Sequence, residues 1–283
     1  MEIFKDPVTF QKRMLELKRA GKSIALVPTM GYLHAGHASL LDNARPRADV
    51  LVVSIFVNPT QFGPSEDLES YPRDFNRDCA ICAAHGADVI FAPDAELMYA
   101  PDRSVWVEET KLSRGLCGKA RPTHFRGVTT VVAKLFLLSQ PDVAVFGQKD
   151  AQQALVIRRM VRDLNFPIEI VVSPLIRDTD GVAMSSRNTY LSPSERERAR
   201  VLNRSLAAAR EALIAGKPLD EVRQETLSAV TERADRVDYV EFLDSETLEP
   251  ATAETGEVLI ALAAVFGHTR LIDNTLVRLK PQA

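Results

Sequence analysis

The feature that most constrains this chain is an alternation. Short, nearly continuous apolar runs recur at SIALVP (23–28), DVLVVSIFV (49–57), DVIFAP (88–93), DVAVFG (142–147) and IEIVVSPL (168–175). Helical stretches at 36–45, 73–86, 127–139 and 150–164 lie between them. A strand that is apolar at nearly every position, rather than at every second one, is buried on both faces. Such strands alternating with helices predict an α/β fold, a Rossmann-like doubly wound parallel sheet.

The texture changes after Leu175. The segment IRDTDGVAMSSRNTYLSPSERER is polar and turn-rich. SPSERERARVLNRSLAAAREALIAG then reads as one long amphipathic helix. Ser192 is its N-cap, Pro193 its first residue, Glu195 the partner in a capping box, and Gly216 its end. A second helix fits PLDEVRQETLSAVTERAD, while VDYVEFLD, EVLIALAAVF and TRLIDNTLV read as strands of a small sheet. A boundary near 176–180 follows, giving domains over 1–176 and 177–283, the second a smaller α+β domain. A length of 283 residues suits two such domains.

Several classes are set aside by composition. A net charge of −3 implies no basic surface, so nucleic acid is not an expected partner. No segment is long and apolar enough to span a membrane; VVAKLFLLS is too short and carries Lys134. MEIFKDPVTFQKRM has no uninterrupted apolar core of the signal-peptide kind, so a cytoplasmic protein without membrane partners is expected. Three cysteines, Cys79, Cys82 and Cys117, do not make a disulfide framework. Cys79, Cys82 and His85 share a helix face, but a zinc site needs a fourth ligand and no second Cys or His pair is near. They read as helix cysteines that pack as small hydrophobes.

Chemistry concentrates at the ends of the apolar runs. In VPTMGYLHAGHASLL (27–41), His34 and His37 bracket Gly36 where a strand gives way to a helix. A helix N-terminus favours an anion, and a glycine there lets a ring or phosphate approach the backbone. Two imidazole N–H donors on one face suit phosphate oxygens and the charge on a departing pyrophosphate. A histidine pair without a ligand is the plain alternative, and the i, i+4 spacing of a zinc-protease helix is absent. FGQKDAQQ (146–153) repeats the strand-to-helix pattern, with Gly147 for the turn, Lys149 as a point charge for phosphate, Asp150 as a helix cap, and Gln152 and Gln153 as neutral donors and acceptors. MSSRN (184–188) sets two hydroxyls beside Arg187, either a phosphate clamp or a linker. NPTQF (58–62) places neutral Asn58 and Gln61 at a strand's carboxyl end, where open α/β sheets bind ligands. The polar stretch 62–74 reads as a lid or a surface loop, and RPTHFRGV (121–128) sets Arg121, His124 and Arg126 before a helix.

Taken together, PTMGYLHAGHASLL, VSIFVNPTQF, EDLESYPRD, THFRGV, FGQKDAQQ, AMSSRNTYLS and TRLIDN resemble the pantothenate synthetase (pantoate–β-alanine ligase) family, in the family's order and across nearly the whole chain. An H-x-G-H motif alone would indicate only the wider nucleotidyltransferase and class I aminoacyl-tRNA synthetase-like superfamily. The resemblance implies a ligase that condenses pantoate with β-alanine at the expense of ATP, through a pantoyl adenylate, on the route to coenzyme A. It implies Mg²⁺ with the ATP, a homodimer, and a C-terminal domain that covers the active site. It implies ATP contacts from Met30, Gly31, Tyr32, Leu33, His34, Ala35, Gly36 and His37, from Gly147, Gln148, Lys149 and Asp150, and from Ile176, Met184, Ser185, Ser186 and Arg187. His34, His37, Lys149 and Arg187 are the expected catalytic residues, with His37 a proton donor in the family. A pyrophosphate leaving on Mg²⁺ needs charge stabilisation more than a proton. Gln61, Gln153 and Asn58 are implied for pantoate, and Gln61 also for β-alanine. Ala151 and Gln148 depart from the aromatic and the glutamate that many members carry. Two rival readings are a nucleotidyltransferase with another acceptor and a non-catalytic ATP sensor. The neutral acceptor set argues against the first when the acceptor is phosphorylated, and the retained cationic and imidazole donors argue against the second.

Overall fold

The computed structural model describes residues 1–64 and 66–279; Ser65, within the polar stretch 62–74, lies outside the described residues. The chain divides into two compact units, Met1–Pro174 and Leu175–Ala283. No helix among the described residues is long and apolar enough to cross a membrane.

The first unit runs β1 (Glu2–Phe4), α1 (Pro7–Arg19), β2 (Ile24–Thr29), α2 (Ala35–Ala44), β3 (Val50–Ile55), α3 (Phe75–Ala84), β4 (Val89–Phe91) and α4 (Ala95–Met98). It continues with α5 (Cys117–Ala120), α6 (His124–Ser139), β5 (Val143–Gly147), α7 (Ala151–Asp163) and β6 (Glu169–Ser173). Among the described residues, six strands pair in the order β1-β4-β3-β2-β5-β6, every pair parallel. The continuous apolar runs are explained by two cores, one on each face of this sheet. Ile24, Leu26 and Val52 point into one, with Phe10 and Met14 of α1, Phe136 of α6 and Ile157 of α7. Ala25, Val27, Leu51 and Val53 point into the other, with Leu41 of α2 and Cys82 of α3. Successive strand residues face opposite sides, so both sets must be apolar.

Four elements were not read from the sequence: β1, α1 and the four-residue helices α4 and α5. β1 is a three-residue edge strand, too short to show a run. α1 begins where Asp6 accepts a 2.8 Å hydrogen bond from the Thr9 amide and Pro7 takes the first helical position. Two boundaries also move. α6 starts at His124, so His124 and Arg126 lie in its first turn and not ahead of it. The single long helix expected over 192–216 is instead α8 (Pro193–Ala199) and α9 (Val201–Ile214). The break falls at Arg200, whose ψ of −18° is that of a tightened 3₁₀-like turn, which interrupts the α-helical ladder. Ser192 and Glu195 do form the capping box that opens α8.

The second unit packs α8, α9 and α10 (Leu219–Arg233) against an antiparallel sheet of β7 (Arg236–Asp244), β8 (Glu257–Phe266) and β9 (Thr269–Arg278), in that order. Its core holds Leu202, Leu206, Val222, Val230, Phe242 and Ile260.

In the first unit, the Phe10 and Phe91 rings stack at 4.1 Å with 9° between planes, and both residues are fully buried. Truncating a buried phenylalanine removes its burial and leaves a cavity. Phe10→Ala is expected to lower stability by about 3–5 kcal/mol. The measurement is a shift of the urea midpoint at unchanged slope.

Candidate active site

The sheet order reverses between β2 and β5, which pair directly through Ala25 with Val143 and Leu26 with Ala144. Ligands in open α/β sheets bind beyond the carboxyl ends of strands at such a reversal. β2 ends at Thr29 and is followed by the segment 30–37; β5 ends at Gly147 and is followed by a 3₁₀ turn, Gln148–Asp150. The two histidine- and lysine-bearing turns of the sequence therefore emerge from neighbouring strands.

His34 is the N-cap of α2. Its Nδ1 accepts from the Gly36 amide at 3.1 Å, and His37 Nδ1 accepts from the His34 amide at 3.3 Å. A ring nitrogen that accepts an amide proton carries none itself, so the neutral tautomer of each ring has its proton on Nε2. The two rings lie 4.1 Å apart. His37 retains some accessible surface, yet protein packs densely about it. Burial first, then the nearby charges of His34 and Lys149, hold its pKa well below the ordinary imidazole value. At neutral pH His37 is a neutral N–H donor on which the Lys149 charge also acts.

A second group of side chains gathers around Gln61. Its Nε2 donates to Met30 Sδ at 3.2 Å, linking the acceptor segment to the histidine turn. Its Oε1 accepts from Asn58 Nδ2 at 3.0 Å. Asn58 is 1% exposed and heavily engaged: Nδ2 also donates to the Gly127 carbonyl, and Oδ1 accepts from the Tyr99 hydroxyl at 2.8 Å and the Thr60 hydroxyl at 2.9 Å. It stands behind Gln61 and orients it. Gly127 of α6 presses on this turn so closely that an added Cβ would fall 2.3 Å from the Thr60 carbonyl oxygen. Only glycine fits there.

His124, in the first turn of α6, is buried. Its Nδ1 donates to the Gln61 carbonyl at 2.8 Å, and its Nε2 accepts from Arg121 at 3.2 Å. Arg121 also reaches the Gln61 carbonyl at 3.2 Å and pairs with Glu66 at 2.7 Å, tying part of the 62–74 stretch to the start of α6.

The adjacent glutamines differ in placement. Gln152 is buried, its Nε2 donating to the Leu112 and Gly115 carbonyls at 2.8 Å and its Oε1 accepting from the Cys117 amide at 3.0 Å. It shapes the 112–117 loop. Gln153 is half-buried. Cys82 is buried, and desolvation pushes its thiol pKa up to about 12, while His85 pairs with Asp42 at 2.6 Å.

Within the second unit, Ile176 and Met184 face each other across a small hairpin, the Met184 amide donating to the Ile176 carbonyl at 3.0 Å. Ser185 accepts from the Arg187 amide at 3.3 Å and caps the 3₁₀ turn Ser186–Tyr190. Arg177, beside Ile176, pairs with buried Asp273 of β9 at 2.7 and 2.9 Å.

A doubly wound sheet with imidazole, lysine and amide donors at its reversal defines a nucleotide-using enzyme of the Rossmann-like class. Comparison with known proteins narrows it. The family model described as pantoate-beta-alanine ligase matches residues 2–276. A pantothenate synthetase of Geobacter sulfurreducens is 54% identical, over 98% of this chain and 99% of its own. A crystal structure of pantothenate synthetase from Thermus thermophilus superposes with a TM-score of 0.91 at 43% identity, covering 97% of this chain and 99% of that one. The pantoate-beta-alanine ligase of Francisella tularensis, solved with β,γ-ATP and β-alanine, superposes with a TM-score of 0.81 at 32% identity, covering 98% and 97%. The chain belongs to the pantoate–β-alanine ligase family.

One consequence of the buried imidazole is measurable. Burial, then the Arg121 charge, push the His124 pKa down to about 4. Between that value and the ordinary 6.5, the unfolded chain binds a proton that the folded one refuses. The stabilisation is therefore complete above pH 6.5 and is lost as the pH falls toward 4, by up to about 3 kcal/mol. His124→Gln removes this titration, so its stability is expected to fall less than the wild type's between pH 7 and 4.5 in urea titrations. Equal losses would place the acid sensitivity at other groups.

Proposed function

We propose that this chain joins pantoate to β-alanine in two steps at the carboxyl ends of β2, β3 and β5. A pantoate carboxylate oxygen attacks the α-phosphorus of ATP; the bond to the β-phosphate oxygen breaks and pyrophosphate leaves. The amine of β-alanine then attacks the acyl carbon of pantoyl adenylate. A C–N bond forms, the C–O bond to AMP breaks, and the amine loses its proton to solvent. Activation is needed because a carboxylate is a poor acyl donor, whereas AMP leaves readily.

The observation that carries this reading is the histidine pair, held by backbone amides with both Nε2 protons in place beside Lys149. Donors fixed before the reaction stabilise developing charge at no reorganisation cost. His34, His37 and Lys149 are assigned to the phosphates. His37, neutral and not imidazolium at pH 7, serves as a hydrogen-bond donor. Met30–Leu33, Ala35, Gly36 and Gly147–Asp150 line the nucleotide. The second unit's assigned nucleotide contacts are Ile176 and Met184–Arg187, with Arg187 on phosphate. Gln61 and Gln153 are assigned to pantoate, with Asn58 orienting Gln61, and Gln61 also to β-alanine.

Among the described residues, no group of three or more His, Cys, Asp or Glu side chains could cage a metal ion. Mg²⁺ enters in this reading on the phosphate oxygens of ATP, as part of the substrate. The proposal includes a cytoplasmic enzyme that works as a homodimer.

Exchange of labelled pyrophosphate into ATP is expected when pantoate is present and β-alanine absent. Exchange without pantoate would favour another acceptor, and ATP binding with no exchange would favour a sensor. His37→Ala is expected to slow exchange roughly 10²–10³-fold while the far-UV spectrum and cooperative melt persist. Near-normal exchange would remove His37 from the mechanism.

A further inference from the structure

We infer that Asp78 is a positioning residue for adenylate formation: its carboxylate, delivered by α3, holds the Gly31–Leu33 turn that aims the histidine pair. The inference rests on the proposed function of that pair.

Asp78 is 1% exposed, an unusual place for a carboxylate unless it is paired. Its partners are two consecutive backbone amides some 45 residues earlier in the chain. Oδ1 accepts from the Leu33 amide at 2.7 Å and Oδ2 from the Tyr32 amide at 2.8 Å. Each oxygen takes one N–H, a fork that fixes the peptide planes of both residues.

The turn so held is one the chain would not adopt by itself. Gly31 has φ +81° and Tyr32 φ +50°, two successive left-handed residues, the second with a bulky side chain. A Cβ on Gly31 would lie 3.0 Å from Asp78 Oδ2 and 3.1 Å from Ile55 Cγ2, so the carboxylate sits against the glycine. The Arg77 guanidinium, from the same helix, lies 5.3 Å over the Tyr32 ring.

The hold continues directly into the histidines. Five amides between Gly31 and Gly36 are bound by side chains: Gly31 by Thr29, Tyr32 and Leu33 by Asp78, His34 by His37, and Gly36 by His34. Asp78 supplies two of the five and is the one contributor distant in sequence. Removing it leaves two buried donors unsatisfied immediately before the rings.

Asparagine at 78 keeps the shape but offers one acceptor and sets an NH₂ against the second amide. The test compares the two half-reactions in wild type, Asp78→Asn and Gly31→Ala. In Asp78→Asn, pantoate-dependent pyrophosphate exchange is expected to fall roughly 10- to 100-fold, the scale of a misplacement near 1 Å. Release of pantothenate from supplied pantoyl adenylate and β-alanine is expected to change less than about threefold. Gly31→Ala pushes on the same carboxylate and is expected to lower pantoate-dependent exchange as well, and the two changes together are expected to be less than additive in exchange. Should Asp78→Asn fail to fold, Asp78→Glu, which keeps both acceptor oxygens on a longer stem, carries the comparison of the two half-reactions. Parallel loss of both half-reactions, or intact exchange, overturns the inference. A wild type that fails to exchange with pantoate overturns the proposed function instead, and the two failures are distinct.

Discussion

The parallel pairing of β2 with β5 is the constraint on which the rest depends. These strands are separated by more than a hundred residues, yet they are neighbours in register, Ala25 beside Val143. Their contact exists because both are apolar on both faces and both must be covered by helices, which forces a crossover at each. Once they are adjacent, the turn leaving β2 and the turn leaving β5 have no choice but to meet. The imidazoles and Lys149 are brought to one place by sheet topology, with no direct bond between their turns required. Burial, then the charges of His34 and Lys149, depress the basicity of His37 there.

Around this point the chain ties several buried polar side chains to its own backbone as well as to one another. Asn58, Gln152 and His124 each bond to main-chain atoms of a segment far away in sequence. An unsatisfied buried donor or acceptor costs more than a made hydrogen bond contributes. A partly formed arrangement is thus worse than either a complete one or none, so the site is specified as a unit.

Much of this was legible in the sequence, and the divide is physical. Buried strands announce themselves because burial on two faces dictates composition residue by residue. The histidine, FGQKD and NPTQF segments are visible because their chemistry is local. What stayed hidden depends on distance or direction. Nothing in the helix of Asp78 signals that its carboxylate serves a turn on the other side of β3. Gln152 and Gln153 are consecutive on α7 and point about 100° apart, and only the three-dimensional frame shows that one is structural. The pairing of Arg121 with Glu66, and the burial of His124, are likewise products of the tertiary fold. α1 could have been found: Phe10, Met14 and Leu17 repeat at helical spacing behind an Asp-Pro start.

The contact of Gly127 with the Thr60–Gln61 turn has a further meaning for selectivity. Here one backbone rests on another, with no side chain between them to change rotamer. With Gln61 assigned to pantoate as proposed, that wall can neither expand for a larger acid nor shrink onto a smaller one without moving the whole of α6, which is anchored in the core by Val128, Val132 and Phe136. Evolution toward a different hydroxy acid would have to proceed on the opposite wall, through residues that end in side chains. Under the proposed assignment, the turn bearing Gln61 is a fixed gauge against which any new acid is measured.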